Sequence, residues 1–178
     1  EENEGGARTM IEDGLFERFP VESVFGMHNI PGMAVGSFAI KPGPMMAAFD
    51  VFDIKITGTG GHAAMPHLAI DPILVGTKIV EAFQTIVSRT INPQEPTVLS
   101  VTQFHGGDAY NVIPNDLVIS GCTRCFSQSI QAQLESSMKT VAEDIARAHG
   151  ACAEFRYERR YPPTINSEQE AETARQAA

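Results

Sequence analysis

Phe49-Asp50-Val51-Phe52-Asp53-Ile54-Lys55-Ile56-Thr57 is the stretch on which the fold turns. It alternates and is rich in Val, Ile and Phe, the signature of a β-strand with one buried face. A Gly-rich loop follows from Gly58 to His67. Asp71-Pro72 then opens a helix, with Asp as N-cap and Pro in the first turn. Ile73, Val75, Ile79, Val80, Phe83, Ile86 and Val87 form its apolar face, which runs out near Arg89. Thr97 to His105 reads as a second strand and Asp116 to Phe126 as a third, with Gly106-Gly107 and Pro114-Asn115 in the connection. A second helix runs from about Ser129 to His149, striped by Ile130, Leu134, Met138, Val141 and Ile145, and Gly150 stops it. Ala151 to Tyr161 is the fourth strand, closed by Pro162-Pro163.

The order is β-α-β-β-α-β, the split βαβ or ferredoxin-like plan of an α+β domain. Right-handed crossovers place both helices on one face of a four-stranded antiparallel sheet and leave the other face open. In such an order the second and fourth strands are outermost. Upstream, Ala7, Met10 and Ile11 recur at helical spacing before Gly14. Val21 to Met27 reads as a short buried strand ending at His28, and Val35 to Ile40 as another within a Gly- and Pro-rich patch. The composition shifts near Ala48, where a domain boundary is placed. Downstream, Ser167 to Ala178 is a polar helix with few core residues. The chain opens at Glu1 without an initiator Met and reads as a piece of something longer.

Composition narrows the function. The 178 residues are 43% hydrophobic and 20% charged, enough for a real core. Thirteen Lys and Arg against 22 Asp and Glu leave a net charge of −9, with a pI near 4.9. Such a surface repels phosphate backbones and anionic membranes, so neither nucleic acid nor lipid is an expected partner. The aromatic pattern of an RNA-binding sheet of this topology is also missing. No apolar run approaches the roughly 18 residues that span a bilayer. Three Cys, an odd number, argue against a disulfide framework and for a reducing, cytoplasmic setting.

Several residues carry possible chemistry. Glu1-Glu2 sets two carboxylates side by side, so that one can bind a divalent cation while its neighbour accepts a proton from water. A solvated acidic pair is the ordinary alternative. His28 can offer an imidazole nitrogen to a metal, or be a satisfied histidine. His62 lies in Gly58-Thr59-Gly60-Gly61-His62-Ala63-Ala64-Met65-Pro66-His67, where small neighbours let backbone and imidazole approach a ligand closely. The loop lacks the Lys and the spacing of a phosphate loop. Asn111, in Tyr110-Asn111-Val112-Ile113-Pro114-Asn115, fits either a turn or a site, and Arg124 can pair with a carboxylate or face solvent. Cys122-Thr123-Arg124-Cys125 has the C-x-x-C form, but strand alternation turns the thiols to opposite faces.

Together these segments resemble the dinuclear metallo-amidohydrolase family of aminoacylases and carboxypeptidases, in its N-acyl-amino-acid amidohydrolase and hippurate hydrolase branch. Glu1-Glu2 with Gly5-Gly6-Ala7, Gly26 to Pro31, Gly60 to His67 with Asp71-Pro72, Gly106-Gly107 with Asn111 to Pro114, and Gly121 to Arg124 carry the likeness. The resemblance implies that Glu1 is the general base and acid, with Glu2 and His28 as ligands in a centre of two divalent ions. Zn, Mn, Co and Ni all suit such ligands. It implies that His62 reaches the partner subunit's active site to stabilise the tetrahedral intermediate, and that Asn111 and Arg124 hold the substrate. Residues 49–162 would be the lid and dimerisation domain, 1–48 part of a zinc-peptidase-type α/β catalytic domain, and 163–178 the return into it. The family's Cys-x-His loop and late His are missing, and Glu2 and His28 fall short of the three protein ligands a catalytic zinc keeps. The expected activity is hydrolysis of N-acyl amino acids by a homodimeric parent, with this chain inactive alone. The alternative is a free-standing ferredoxin-like dimerisation or small-molecule-binding module.

Overall fold

The computed structural model describes residues 5–178. They form two compact units, Ala47–Pro162 on the one hand and 5–46 with Pro163–Ala178 on the other. The second of these begins with two short helices, α1 (Gly6–Glu12) and α2 (Leu15–Arg18), parted at Gly14. From 19 to 42 the chain is irregular, and then β1 (Gly43–Met46) begins. The strands expected at Val21–Met27 and Val35–Ile40 are absent. Val24, Met27 and Val35 are 68%, 87% and 106% exposed, so no buried strand passes through them. A strand needs neighbours to take its N–H and C=O groups. The backbone bonds found here close tight turns instead, Met33 N–H to Ile30 O at 3.2 Å and Ser37 N–H to Ala34 O at 3.1 Å.

The Ala47–Pro162 unit is built on β2 (Phe49–Thr57). After it come β3 (Gly61–His62), α3 (Pro72–Thr85), β4 (Val98–His105), β5 (Val112–Ile113), β6 (Asp116–Arg124), α4 (Gln128–Ala148) and β7 (Cys152–Tyr161). The four long strands form one antiparallel sheet in the order β4-β6-β2-β7, with β4 and β7 at its edges. β2 is central because its inward residues Phe52, Ile54 and Ile56 are buried completely or nearly so, at 1%, 0% and 0% exposure. Leu117 and Ile119 of β6 continue that face.

Both helices close over the same side. Val75, Ile79 and Phe83 of α3, and Leu134, Met138, Ala142 and Ala146 of α4, share one buried cluster with those strand residues. Burial of the Val, Ile, Phe, Leu and Met side chains among these stabilises by about 1.5–3 kcal/mol each, and of the alanine methyls by less. Phe52 and Phe83 meet edge-on with centroids 5.9 Å apart, a favoured aromatic geometry. The Asp71 carboxylate caps α3 by accepting from the N–H groups of Ile73 at 2.9 Å and Leu74 at 3.4 Å. Ser127 caps α4 by accepting from Ile130 N–H at 3.3 Å.

After Pro162 the chain forms β8 (Thr164–Asn166), antiparallel to β1, and then α5 (Glu168–Ala177). Asn166 Nδ2 donates to Lys41 O at 3.0 Å and ties the two segments together. Among the described residues no helix is long and apolar enough to cross a membrane.

Candidate functional site

Where β2 ends at Thr57, the Gly-rich loop leaves the sheet and is pinned at once. Gly58 N–H donates to Asn115 O at 2.9 Å, and Thr59 and Ile70 exchange two backbone bonds at 2.9 Å. Gly60 N–H donates to the Asn115 side-chain oxygen at 3.0 Å. The two-residue ladder of β3 and β5 then sets Gly61 opposite Ile113 and His62 opposite Val112. Ala63 N–H donates to Asn111 O at 3.0 Å. His62 and Asn111, 49 positions apart in sequence, are thereby held side by side. Both are exposed.

The His62 ring is oriented by its own turn. Ala64 N–H donates to Nδ1 at 3.0 Å, and Met65 N–H donates to His62 O at 2.8 Å. An acceptor at Nδ1 places the proton of the neutral imidazole on Nε2. The ring is therefore poised to donate from Nε2, as an oxyanion requires. Exposed apolar side chains stand close by in sequence: Met65, Leu68, Tyr110 and Val112.

Arg124 is not part of this group. It ends β6, opposite Val98 of β4, and its guanidinium carbon lies 4.0 Å from the centroid of the Phe49 ring. The other end of β6, Asp116, pairs with Thr57, where the His62 loop departs. At the usual strand rise of about 3.3 Å per residue the two ends of β6 are roughly 26 Å apart. A single small substrate cannot touch Arg124 and His62 of the same chain.

His28 lies in the irregular segment of the other unit, and Glu1 and Glu2 lie outside the described residues. His28 Nδ1 donates to Asn29 O at 2.7 Å. This leaves the lone pair on Nε2, the arrangement that metal-ligating histidines commonly adopt. Its chemistry fits a divalent ion. Among the described residues, however, no group of three or more His, Cys, Asp or Glu side chains is placed to hold one. The cysteines are free. Cys125 is buried, with Sγ 3.5 Å from Ser127 O, and burial and the nearby Asp50 carboxylate raise its pKa.

A further polar group escaped the sequence reading. Asp50 is fully buried, yet it accepts two bonds of 2.9 Å from Gln131 Nε2 and one of 2.8 Å from Tyr157 OH. The signal was present: Asp50 shares the parity of Phe52, Ile54 and Ile56 and so points inward.

The model of Peptidase family M20/M25/M40 matches residues 1–178. The chain is 44% identical over 162 residues to an N-acyl-L-amino acid amidohydrolase of Geobacillus stearothermophilus, covering 91% of this chain and 43% of that protein. It is 36% identical over 178 residues to a hippurate hydrolase of Campylobacter jejuni, covering 100% of this chain and 46% of that one. The crystal structure of a dinuclear metal-binding M20 peptidase of Bacillus subtilis superposes with a TM-score of 0.75 at 32% identity, over 96% of this chain and 42% of the other. The chain thus spans less than half the length of the curated relatives it matches.

Proposed function

The chain belongs to the M20/M25/M40 peptidase family, and from that premise we propose that its full-length protein hydrolyses the amide bond of N-acyl amino acids. The observation that carries the reading is the β3–β5 ladder, which holds an exposed His62 beside Asn111 with Nε2 as the donating nitrogen. In this reading residues 49–162 are a ferredoxin-like lid and dimerisation domain. Residues 1–48 and 163–178 belong to the catalytic domain.

Glu2 and His28 would be ligands in a site for two divalent ions such as Zn, Mn, Co or Ni. Bound ions would supply Lewis-acid polarisation of the amide and a more acidic water. Glu1 takes the proton from the attacking water and passes it to the nitrogen of the leaving amine as the C–N bond breaks. His62 donates from Nε2 to the oxyanion of the tetrahedral intermediate. Asn111 and Arg124 hold the ends of the substrate. In this reading Arg124 and His62, which lie at opposite ends of one sheet, act on one substrate from different subunits of a homodimer.

The test is hydrolysis of N-benzoylglycine and N-acetyl amino acids by the full-length, metal-loaded protein. His62→Ala should lower kcat by roughly 10²–10³, the effect of removing one oxyanion donor. The 178-residue chain alone should be inactive, since two ligands leave an ion mostly hydrated. No hydrolysis by the full-length protein, or unchanged turnover in the variant, overturns the reading; amidase activity in the short chain overturns the need for ligands beyond Glu2 and His28.

A further inference from the structure

We propose that Asn115 is the positioning residue for His62, clamping the loop that carries the imidazole onto the segment that carries Asn111. The inference rests on the reading of His62 just given. Two donors of the loop converge on Asn115, Gly58 N–H at 2.9 Å on its backbone oxygen and Gly60 N–H at 3.0 Å on its side-chain oxygen. On the far side of His62, Ala63 N–H bonds to Asn111 O at 3.0 Å. The imidazole is therefore bracketed by bonds to one short stretch, 111–115.

The approach is close enough to require glycine. A Cβ on Gly60 would stand 2.7 Å from Ile113 O and 2.9 Å from Asn115 Oδ1. Because Gly60 presents an N–H, it is the amide oxygen of Asn115 that must face it. Only an acceptor is needed there. A carboxylate at the same position makes the same bond, whereas alanine makes none.

An oxyanion donor acts in the transition state, so its displacement appears in kcat rather than in KM. In the full-length enzyme Asn115→Ala should lower kcat about tenfold, as expected for a displacement of under 1 Å, with KM nearly unchanged. Asn115→Asp should restore it. In a His62→Ala background Asn115→Ala should cost nothing more, because the group it positions is gone. A second readout is independent of turnover: the Gly60 amide should exchange with solvent faster in Asn115→Ala than in the wild type or Asn115→Asp. Full activity in Asn115→Ala while His62→Ala is crippled overturns the clamp alone. An equal loss from Asn115→Ala with or without His62 also overturns it, since a merely structural residue behaves that way. Full activity in His62→Ala overturns the parent reading and the clamp together.

Discussion

At the scale of single residues, Gly76 shows how closely helix and sheet approach. It sits in the middle of α3, and a Cβ built there would lie 2.2 Å from Leu117 Cδ2, 3.1 Å from Phe104 Cζ and 3.2 Å from Ile119 Cδ1. Two effects oppose each other in Gly76→Ala. Alanine is better than glycine in a helix by about 1 kcal/mol, but overpacking a filled core costs about 1–3 kcal/mol. Packing should win, since Leu117 is fully buried and surrounded. The expected result is a net loss of about 1 kcal/mol in chemical denaturation, relieved when Leu117→Val is added. An increase in stability would mean that Leu117 moves aside freely. Neither this contact nor the Asn115 clamp was legible in the sequence. A glycine inside a helix pattern reads as an ordinary cost, and Asn115 after Pro114 reads as a turn. His62 stood out because glycines and alanines cluster around it, and Asn111 was a candidate as well, but their pairing across the ladder was not legible, since two-residue strands leave no periodic pattern.

At the scale of elements, the four long strands and both long helices could be read from alternation and helical spacing, since the residues each turns toward the core recur at its own period. The segment 21–27 could not. Its apolar run is that of a strand, but a strand exists only with neighbours, and sequence does not say whether they are present. The Asp50 group shows what patterning omits even among these regular elements. Thr123 of β6, Tyr157 of β7, Asp50 of β2 and Gln131 of α4 form one chain of bonds. Tyr157 uses its single proton on Asp50, so the 2.6 Å contact with Thr123 is a bond donated by the threonine hydroxyl. It joins three strands to a helix through a buried carboxylate, which is costly if left unpaired. Burial, with a further contribution from Asp50, pushes the Tyr157 phenol far above its ordinary value of 10.0. A raised folded-state pKa means that the folded chain keeps a proton the unfolded chain loses. Its stabilisation is complete below pH 10 and declines as pH rises beyond it. Denaturation midpoints should therefore fall more steeply above about pH 10 in the wild type than in Tyr157→Phe, although the variant starts from a lower midpoint. Parallel curves would show that Tyr157 does not titrate differently in the folded state.

At the scale of the whole molecule, the sheet has two edges that are unpaired among the described residues and that differ in character. β7, Cys152-Ala153-Glu154-Phe155-Arg156-Tyr157-Glu158-Arg159-Arg160-Tyr161, is dense in charge, a common device against edge-to-edge pairing. β4, Val98-Leu99-Ser100-Val101-Thr102-Gln103-Phe104-His105, carries no Lys, Arg, Asp or Glu, and its second half is exposed. The edge suited to a second copy is β4. Antiparallel pairing of β4 with itself about a two-fold axis would be an isologous contact that extends each sheet from four strands to eight. The proposed division of labour needs such a pairing, because Arg124 and the His62–Asn111 pair stand at opposite ends of β6. Light scattering on the full-length protein at micromolar concentration should give a dimer. Thr102→Lys, which places like charges near one another across the axis, should weaken it and yield monomer. Activity should fall with the dimer if, as proposed, His62 serves the partner's site. A wild-type monomer with full amidase activity would sink both the pairing and the action of His62 across subunits. A stable dimer untouched by Thr102→Lys would move the contact away from β4.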